Sequence, residues 1–463
     1  MNLAQSALIR NKERLIRNGG SARNQAARRM CLDALDEALS AVNPHVCLGS
    51  QIKIRDARFN TGDLSLSLSG FRRIMLLAAG KASASMMRAA VNILKDFPIS
   101  GILVIPRDEK PRALDDRIEI FRARHPIPDH GGLEAAMQVA AAVSKMEENE
   151  LLLCLISGGA SAMLPAPVSG ISIQEKQKVT EKLVKSKATI HEINTVRRHL
   201  SSLKGGRLVK LCRASTILSL IISDVPGNCL PDIASGLTVE DPTSFQDAIQ
   251  VLKGRDLWKI IPQRVRVHLL KGLRGQIAET PKPGDPAFRR VHNIILADNR
   301  TACVAAEQSL ARYRMRAEIL TSSVEVEART LGKFMASIGV ECREHVRRSR
   351  SIIIGGETTV DVKGQGIGGR NQETTLSAVE GIAGLDGLVV AALGTDGIDG
   401  SSIAAGAMAD GNTARRAERR RMNPCDFLAR NDSYSFFRQL NDNLVTGRTG
   451  TNVGDLYLIV SRE

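Results

Sequence analysis

Six apolar runs in this 463-residue chain end in Gly, Ser or Asp and open into a loop or helical pattern, and nothing else in the sequence restricts the fold as much. They are Ile74–Ala79, Leu151–Ile156, Ile217–Ile222, Val291–Ala297, Ser351–Ile354 and Leu388–Leu393. Each is shorter than an ordinary helix and is bounded by turn residues, so each reads as a buried strand. Buried strands alternating with helical patterns make an α/β protein. In open α/β sheets, ligands bind beyond the carboxyl ends of the strands. Here those ends carry Lys81, Ser157, Asp224, Asp298, Glu357 with Arg370, and Asp396. One such loop is a turn; six imply a shared cleft.

The densest of these stretches runs from Ile352 to Glu373. Its strand breaks at Gly355-Gly356 and delivers Glu357, Thr358 and Thr359. A loop from Gly364 to Gly369 then ends on Arg370-Asn371-Gln372-Glu373, where a helical pattern starts. Glycines admit a ligand close to the backbone, and the first amides of a helix favour an anion. Arg370 adds a planar charged fork. The reading is an anion site, with phosphate as the expected ligand. Gly364, Gly366 and Gly369 also fit G-x-G-x-x-G, a dinucleotide signature. The short alternating segment Val360–Lys363 before them resembles a hairpin arm more than the strand that signature needs.

Other loops carry related chemistry. Gly80-Lys81-Ala82-Ser83 joins a strand to a helix, but Met75 and Ala82 stand where a Walker A loop requires Gly and Ser or Thr. Lys81 suits an anion at least as well as it suits bare surface. Ser157-Gly158-Gly159-Ala160-Ser161-Ala162 is a second candidate phosphate cradle. Between Glu192 and Leu208, Asn194, Arg197 and Lys204 offer a wall for an acidic substrate, against the plainer reading of a solvated basic helix. Asp224 after its strand suits magnesium or a general base. Ser235-Gly236 lies in a loop of small residues, and Asp396, Asp399 and Ser401 pair carboxylates with hydroxyls. His125 and His130 have no partners at metal spacing and read as loop or capping residues, with Asp129 capping a helix over 132–146.

Composition excludes several classes. The charge is 64 − 49 = +15, but aromatic residues make up 3% of the chain. The basic residues fall in scattered pairs such as Arg72-Arg73, Arg197-Arg198 and Arg347-Arg348, with one cluster from Arg415 to Arg421. Readers of single-stranded nucleic acid interleave aromatics with such charge, so the cluster reads as a solvated face and no nucleic acid is expected. The eight cysteines form no C-x-x-C pair and read as reduced cytosolic thiols. No run of about 18 apolar residues signals a membrane span. The Arg-rich N-terminus reads as a helical arm rather than a transit peptide. A helix is expected over 26–42 with Pro44 ending it, a hairpin over 51–68, a helix over 183–190 and another over 247–275. The Pro-rich stretch 279–287 is the expected linker between domains at 1–280 and 288–463.

Taken in order, the segments Gly80-Lys-Ala, His125-Pro-Ile-Pro-Asp, Ile156-Ser-Gly-Gly-Ala-Ser-Ala, Asn194-Thr-Val-Arg-Arg-His-Leu-Ser, Lys204-Gly-Gly-Arg-Leu, Ser223-Asp-Val-Pro-Gly, Ile233-Ala-Ser-Gly, Gly355-Gly-Glu-Thr-Thr-Val, Gly368-Gly-Arg-Asn-Gln-Glu, Gly394-Thr-Asp-Gly-Ile-Asp-Gly and Thr451-Asn-Val closely resemble the type II glycerate kinases, the glycerate 2-kinases of the MOFRL family. Some of that family were formerly labelled hydroxypyruvate reductases. The resemblance implies a Rossmann-like N-terminal domain with a parallel sheet, a smaller C-terminal α/β domain, and an active site in the cleft between them. It implies transfer of phosphate from ATP to D-glycerate, giving 2-phospho-D-glycerate, with Mg2+, in a cytoplasmic monomer or homodimer. An NAD(P)H-dependent hydroxypyruvate reductase is the alternative. Lys81 and Arg370 map best onto the principal active-site cations, with Asp224 as a third catalytic residue and Asp224 or Asp396 as metal ligand. Gly80, Ser157, Gly158, Gly159, Ser161, Asn194, Arg197, Lys204, Ser235, Gly236, Asp298, Asn299, Gly355, Gly356, Glu357, Thr358, Gly369, Asn371, Gln372 and Glu373 are the expected substrate- and nucleotide-binding positions. Four residues depart from the family pattern: Ala160 for Gly, Asn228 for Asp, Leu237 for Pro and Arg448 for Pro. Ala160 requires a negative φ where the family has glycine.

Overall fold

The computed structural model describes residues 8–109, 114–344 and 349–463, so Arg347-Arg348 lies outside the described residues. The chain forms two compact units. One is Cys47–Leu296; the other joins the N-terminal residues up to Val46 to Ala297–Glu463.

The first unit opens with a small antiparallel sheet of β1 (Lys53–Arg55), β2 (Arg58–Thr61) and β3 (Leu64–Ser67). Thr61 pairs with Leu64 across a two-residue Gly62-Asp63 turn, as the hairpin pattern expects. The main sheet contains β4 (Arg73–Ala79), β5 (Ile99–Pro106), β6 (Ile118–Ala123), β7 (Glu150–Ser157), β8 (Thr216–Ile222) and β9 (Val291–Ala297). Their order is β6-β5-β4-β7-β8-β9, and the pairs from β6 across to β8 are all parallel. This is the Rossmann order, with the chain reversing its direction of travel across the sheet between β4 and β7. β4 and β7 are buried on both faces, which is why they read as unbroken apolar runs. β6 is an edge strand with Glu119, Ile120 and Arg122 turned towards solvent, and it has no apolar run to announce it.

In the second unit, β10 (Arg316–Glu327), β11 (Arg350–Thr359), β12 (Leu388–Gly394), β13 (Gly406–Asp410), β14 (Asn443–Leu444) and β15 (Asp455–Ser461) are ordered β10-β11-β15-β12-β13-β14. Only β10 and β11 pair in parallel; β15 lies between β11 and β12 and runs against both. Asp455, the first residue of β15, therefore sits opposite both Gly356 and Gly394.

Several element expectations are corrected. The N-terminal helix spans Ala22–Ala41 and is capped by Ser21, which accepts a hydrogen bond from the Asn24 amide. Pro44 opens the next helix, Pro44–Gln51, because an N-terminal position has no hydrogen bond for Pro to break. The 183–190 segment is a junction: a helix ends at Lys185 and another begins at Ile190, each with its own capping box. The 247–275 segment is likewise two helices, Phe245–Gly254 and Gln263–Leu273. The domain boundary also differs from the expected 280/288. Glu279 is pinned to the Phe245 amide at 2.9 Å and to His199 at 3.0 Å, and the chain then enters the first unit's own sheet as β9.

The N-terminal arm belongs to the second unit through a fully buried Arg28. Its guanidinium meets Asp410 at 2.6 Å, Asp442 at 2.8 Å and the Leu15 carbonyl at 2.8 Å. In the 415–421 cluster, Arg416 turns inward to Asp442, and Arg415, Arg419, Arg420 and Arg421 are exposed, a solvated face as expected. All eight cysteines are free. Among the described residues no helix is long and apolar enough to cross a membrane.

Candidate functional site

The six strand-end loops divide three and three. Lys81, Ser157 and Asp224 lie in the first unit; Asp298, Glu357 with Arg370, and Asp396 lie in the second.

In the first unit, the loops after β4 and β7 meet where the strand order reverses. Gly80 has φ +120°, and a Cβ there would run into Ser157. The Lys81 amide donates to the Gly158 carbonyl at 2.8 Å and the Ala82 amide to Ser157 Oγ at 3.0 Å. Ser157 is thus spent on holding the two loops together. Gly159, at φ +88°, starts a short helix, Ala160–Met163, and the His125 ring lies against it. Ala160 is helical, so the departure at that position costs no strain.

Beside this junction runs a polar chain. Ser235 Oγ donates to Asn194 Oδ1 at 2.8 Å, so the Ser161 hydroxyl, 2.6 Å from Ser235 Oγ, is the donor there. Asn194 in turn donates to Asp232 at 3.2 Å. Gly236, at φ +67°, presents its carbonyl to the Gly206 amide at 2.7 Å. Arg198, fully buried, is neutralised by Asp232 at 3.2 Å and Asp241 at 3.0 Å.

The next residue is different. Arg197 is half-buried, and its guanidinium has no hydrogen bond or ion pair among the described residues. Near it are two fully enclosed lysines. Lys204 Nζ donates to the Leu164 carbonyl at 2.7 Å, and Lys176 Nζ donates to Leu200 O at 3.1 Å and to Pro165 O. No carboxylate pairs with any of the three among the described residues. Burial, then the charge of Arg197, pushes Lys204 down to about 7. Burial, then Lys204 and Arg197, pushes Lys176 well below its usual value. Burial lowers Arg197 to about 10, which leaves it charged at neutral pH.

The second unit holds its cation in the opposite way. Arg370 makes a bidentate pair with Asp455, at 2.5 and 3.0 Å, and a further ion pair with Glu357. Burial opposes its charge, but those carboxylates prevail and push its pKa well up. The helix Arg370–Ala378 does start with free amides, but the anion on them is the chain's own Asp399. Asp399 accepts from the Asn371 amide at 3.0 Å, the Gln372 amide at 2.8 Å and the Gln372 side chain at 2.8 Å. Burial nevertheless raises its pKa to about 6, with Asp455 adding to the effect. The glycine loop is also turned inward. Cβ atoms at Gly364, Gly366 and Gly368 would strike Arg430, Asp432 and Ser433. In the structure these glycines and the first amides of the helix thus serve internal packing.

The remaining second-unit positions are mostly braces. Glu373 is buried against Arg329 at 2.6 Å and Asn431 at 3.1 Å. Thr358 accepts from the Tyr457 hydroxyl at 3.0 Å. Asn299 clamps the carbonyls of Val453 and Asp455 at 3.0 and 2.8 Å, under the tight approach of Gly355. Asp298 caps its helix through the Thr301 amide at 2.8 Å. Gly369 closes on Asp399. Asp396 is half-buried and accepts from the Ile398 amide at 3.1 Å. Sequence reasoning missed Asp455 as the partner of Arg370. The available signal was a lone acid opening an otherwise apolar terminal strand.

Among the described residues no three His, Cys, Asp or Glu side chains converge on a point that would hold a metal ion. Asp224, half-buried beyond β8, and Asp396 beyond β12 are single carboxylates. Either one by itself fits magnesium, which takes one or two carboxylates and completes its shell with substrate phosphates.

Two family descriptions match the chain: "Domain of unknown function (DUF4147)" over residues 30–270 and "MOFRL family" over residues 350–455. A glycerate 2-kinase of Pyrococcus horikoshii is 37% identical over 437 residues, covering 94% of this chain and 97% of the relative. A D-glycerate 2-kinase of Thermotoga maritima is 37% identical over 390 residues, covering 83% and 90%. A crystal structure of glycerate kinase from Thermotoga maritima superimposes with a TM-score of 0.80 at 34% identity, covering 94% of this chain and 99% of the other.

Proposed function

The chain belongs to the DUF4147–MOFRL glycerate kinase family, and on that premise we propose that it transfers the γ-phosphoryl group of ATP to the 2-hydroxyl of D-glycerate. A new bond forms between the glycerate O2 and γ-phosphorus, the bond from that phosphorus to the β–γ bridging oxygen breaks, and ADP and 2-phospho-D-glycerate leave. The observation that carries the reading is Lys81 at the switch point of a Rossmann-ordered sheet, on a loop tied to Gly158.

Phosphoryl transfer depends on positioning and on neutralising charge spread over the phosphoryl oxygens. Lys81 supplies a cation from a backbone locked on both sides by Ser157 and Gly158. Asp224, on the same side of the same sheet, takes the hydroxyl proton or helps hold magnesium. Asp224 or Asp396 is the residue that would hold the metal, which when bound would screen the phosphate charge. Cytoplasmic ATP and the free thiols suit action in the cytoplasm. The reductase alternative rested on the Gly364–Gly369 loop, whose Gly364, Gly366 and Gly368 pack on residues 430–433 of the same chain and whose Gly369 packs on Asp399.

A coupled assay with ATP, magnesium, D-glycerate and enolase, without phosphoglycerate mutase, tests the reading. Signal is the expected result, since enolase consumes 2-phosphoglycerate. Signal only after mutase is added would assign the 3-hydroxyl instead, and silence in both would overturn the kinase reading.

A further inference from the structure

We propose that Ser161 is the specificity residue for the hydroxyl that is not phosphorylated, the 3-hydroxyl of D-glycerate, and that Ser235, Asn194 and Asp232 are positioning residues that make Ser161 a hydrogen-bond acceptor. The proposal rests on the glycerate kinase reading and deepens it by naming the group that checks the substrate's second hydroxyl.

Each hydroxyl between Ser161 and Asp232 has one proton to give. The Asn194 amide nitrogen lies 3.2 Å from both the carbonyl and the carboxylate of Asp232, which only accept, so the Asn194 oxygen must face Ser235. Burial raises the Asp232 pKa, but hydrogen bonds from Cys229 and His191 and the charge of Arg198 prevail and hold it below its usual value. Asn194 Oδ1 then takes the Ser235 proton at 2.8 Å, and Ser235 Oγ takes the Ser161 proton at 2.6 Å. Ser161 has nothing left to donate, and among the described residues its hydroxyl has no second partner. Asp232, Asn194 and Ser235 are buried while Ser161 is half-buried, so the chain is fixed at its core end and open at its outer one.

An oxygen that can only accept suits a ligand O–H and repels the lone pairs of a carboxylate or phosphoryl oxygen. The hydroxyl that is phosphorylated must also surrender its proton to a base. Ser161 cannot serve as that base, because its chain ends on an amide, which passes no proton on. The hydroxyl that fits is one that keeps its proton, and in a 2,3-dihydroxy acid phosphorylated at O2 that is O3. Position agrees with polarity: Ser161 is three residues beyond Gly158, whose carbonyl holds the Lys81 amide at 2.8 Å. Backbone strain agrees as well. Ala234, Ser235 and Gly236 are all left-handed, at φ +52°, +57° and +67°, a conformation unfavourable for the two that carry a Cβ. Such strain gathers at ligand sites, where the surroundings enforce it. Here the Gly205 and Gly206 amides hold the Ser235 and Gly236 carbonyls at 3.1 and 2.7 Å, and the strained run brings Ser235 Oγ to both Ser161 and Asn194.

The test compares wild type, Ser161→Ala and Ser235→Ala on D-glycerate and on D-lactate, which has a methyl group in place of the hydroxymethyl. ADP release gives kcat/KM for each acid, and D-lactate is read as a competitive inhibitor if it is not turned over. Wild type should prefer D-glycerate by at least about tenfold, since a site built for a hydroxyl rejects the analogue lacking it. Ser161→Ala should lower kcat/KM for D-glycerate about tenfold, leave the D-lactate value within about twofold, and so collapse the preference. Ser235→Ala returns a proton to Ser161 and should reduce the preference by less. An unchanged preference in Ser161→Ala would overturn the proposal, as would an equal fall on both acids. A rise in the KM for ATP with the preference intact would overturn it too, assigning Ser161 to the nucleotide. Wild type inactive on D-glycerate would instead sink the kinase reading, a distinct outcome. The preference is a ratio between two acids on one protein, so a general loss of folded enzyme does not move it.

Discussion

Arg197, in the last turn of one helix, and Arg370, at the start of another, both lie close to paired glycines, and the fold treats them in opposite ways. Arg370 is clasped by Asp455 and Glu357. Arg197 is half-buried beside two enclosed lysines, with no carboxylate paired to the group among the described residues. A cation that has been neutralised holds the fold together. A cation left uncompensated carries a standing cost that a ligand can relieve. The sequence, in which both arginines look equally functional, carries no sign of that difference.

The largest effect expected belongs to a third cation, Lys81. Lys81→Ala should lower kcat by at least about 10³-fold, the scale of a lost transition-state charge contact. Its thermal midpoint should stay within a few degrees of wild type. Near-normal turnover would remove the switch-point loop from the mechanism.

Stability measurements sharpen the contrast between the two arginines. Arg370→Ala leaves Asp455, which is fully buried, without its bidentate partner, and should cost about 3 kcal/mol in urea unfolding. Arg197→Ala removes an unpaired charge and should cost nothing or stabilise slightly. Equal losses in the two variants would erase the distinction. Gly364→Ala should destabilise by about 1–3 kcal/mol, because its methyl group would strike Arg430. The KM for ATP should hardly change in that variant, against the expectation for a phosphate cradle.

The smallest effect is a pH dependence. Lys204 has its folded pKa at about 7, below its unfolded value of 10.5. The unfolded chain therefore holds more protons between those values, and this group's share of stability rises as pH increases through that window. Lys176, also shifted down by burial and by its cationic neighbours, acts in the same direction. Urea unfolding of wild type and Lys204→Met from pH 7 to 9 checks the sign: the wild-type slope should be the steeper, and equal slopes would remove Lys204 from the pH dependence.

All six apolar runs are strands, and the loops behind them hold the candidate groups; five of the runs are buried on both faces, which a strand must write as an apolar run, and β9 is half-buried over Val291–Ile295. β6 escaped notice for the converse reason, having one face in water. The N-terminal arm was legible as a helix but not as part of the second unit, since its tie is Arg28 reaching Asp410 and Asp442 across 382 and 414 residues of sequence.

What the sequence determined by itself was local: where strands end, which residue stands at each end, and where helices are capped, since φ/ψ preference and apolar periodicity act over a few neighbours. The capping boxes at Ser172 and Thr189 and the left-handed Gly159 ahead of a helical Ala160 belong to that class. The tertiary structure alone decided which charges meet. It set the strand order that brings Gly80 against Ser157, laid β15 between β11 and β12 so that Asp455 reaches Arg370, and placed Asp399 over the helix amides that otherwise suit phosphate. Electrostatic pairing depends on distance in space, and residues far apart along the chain carry no local trace of it.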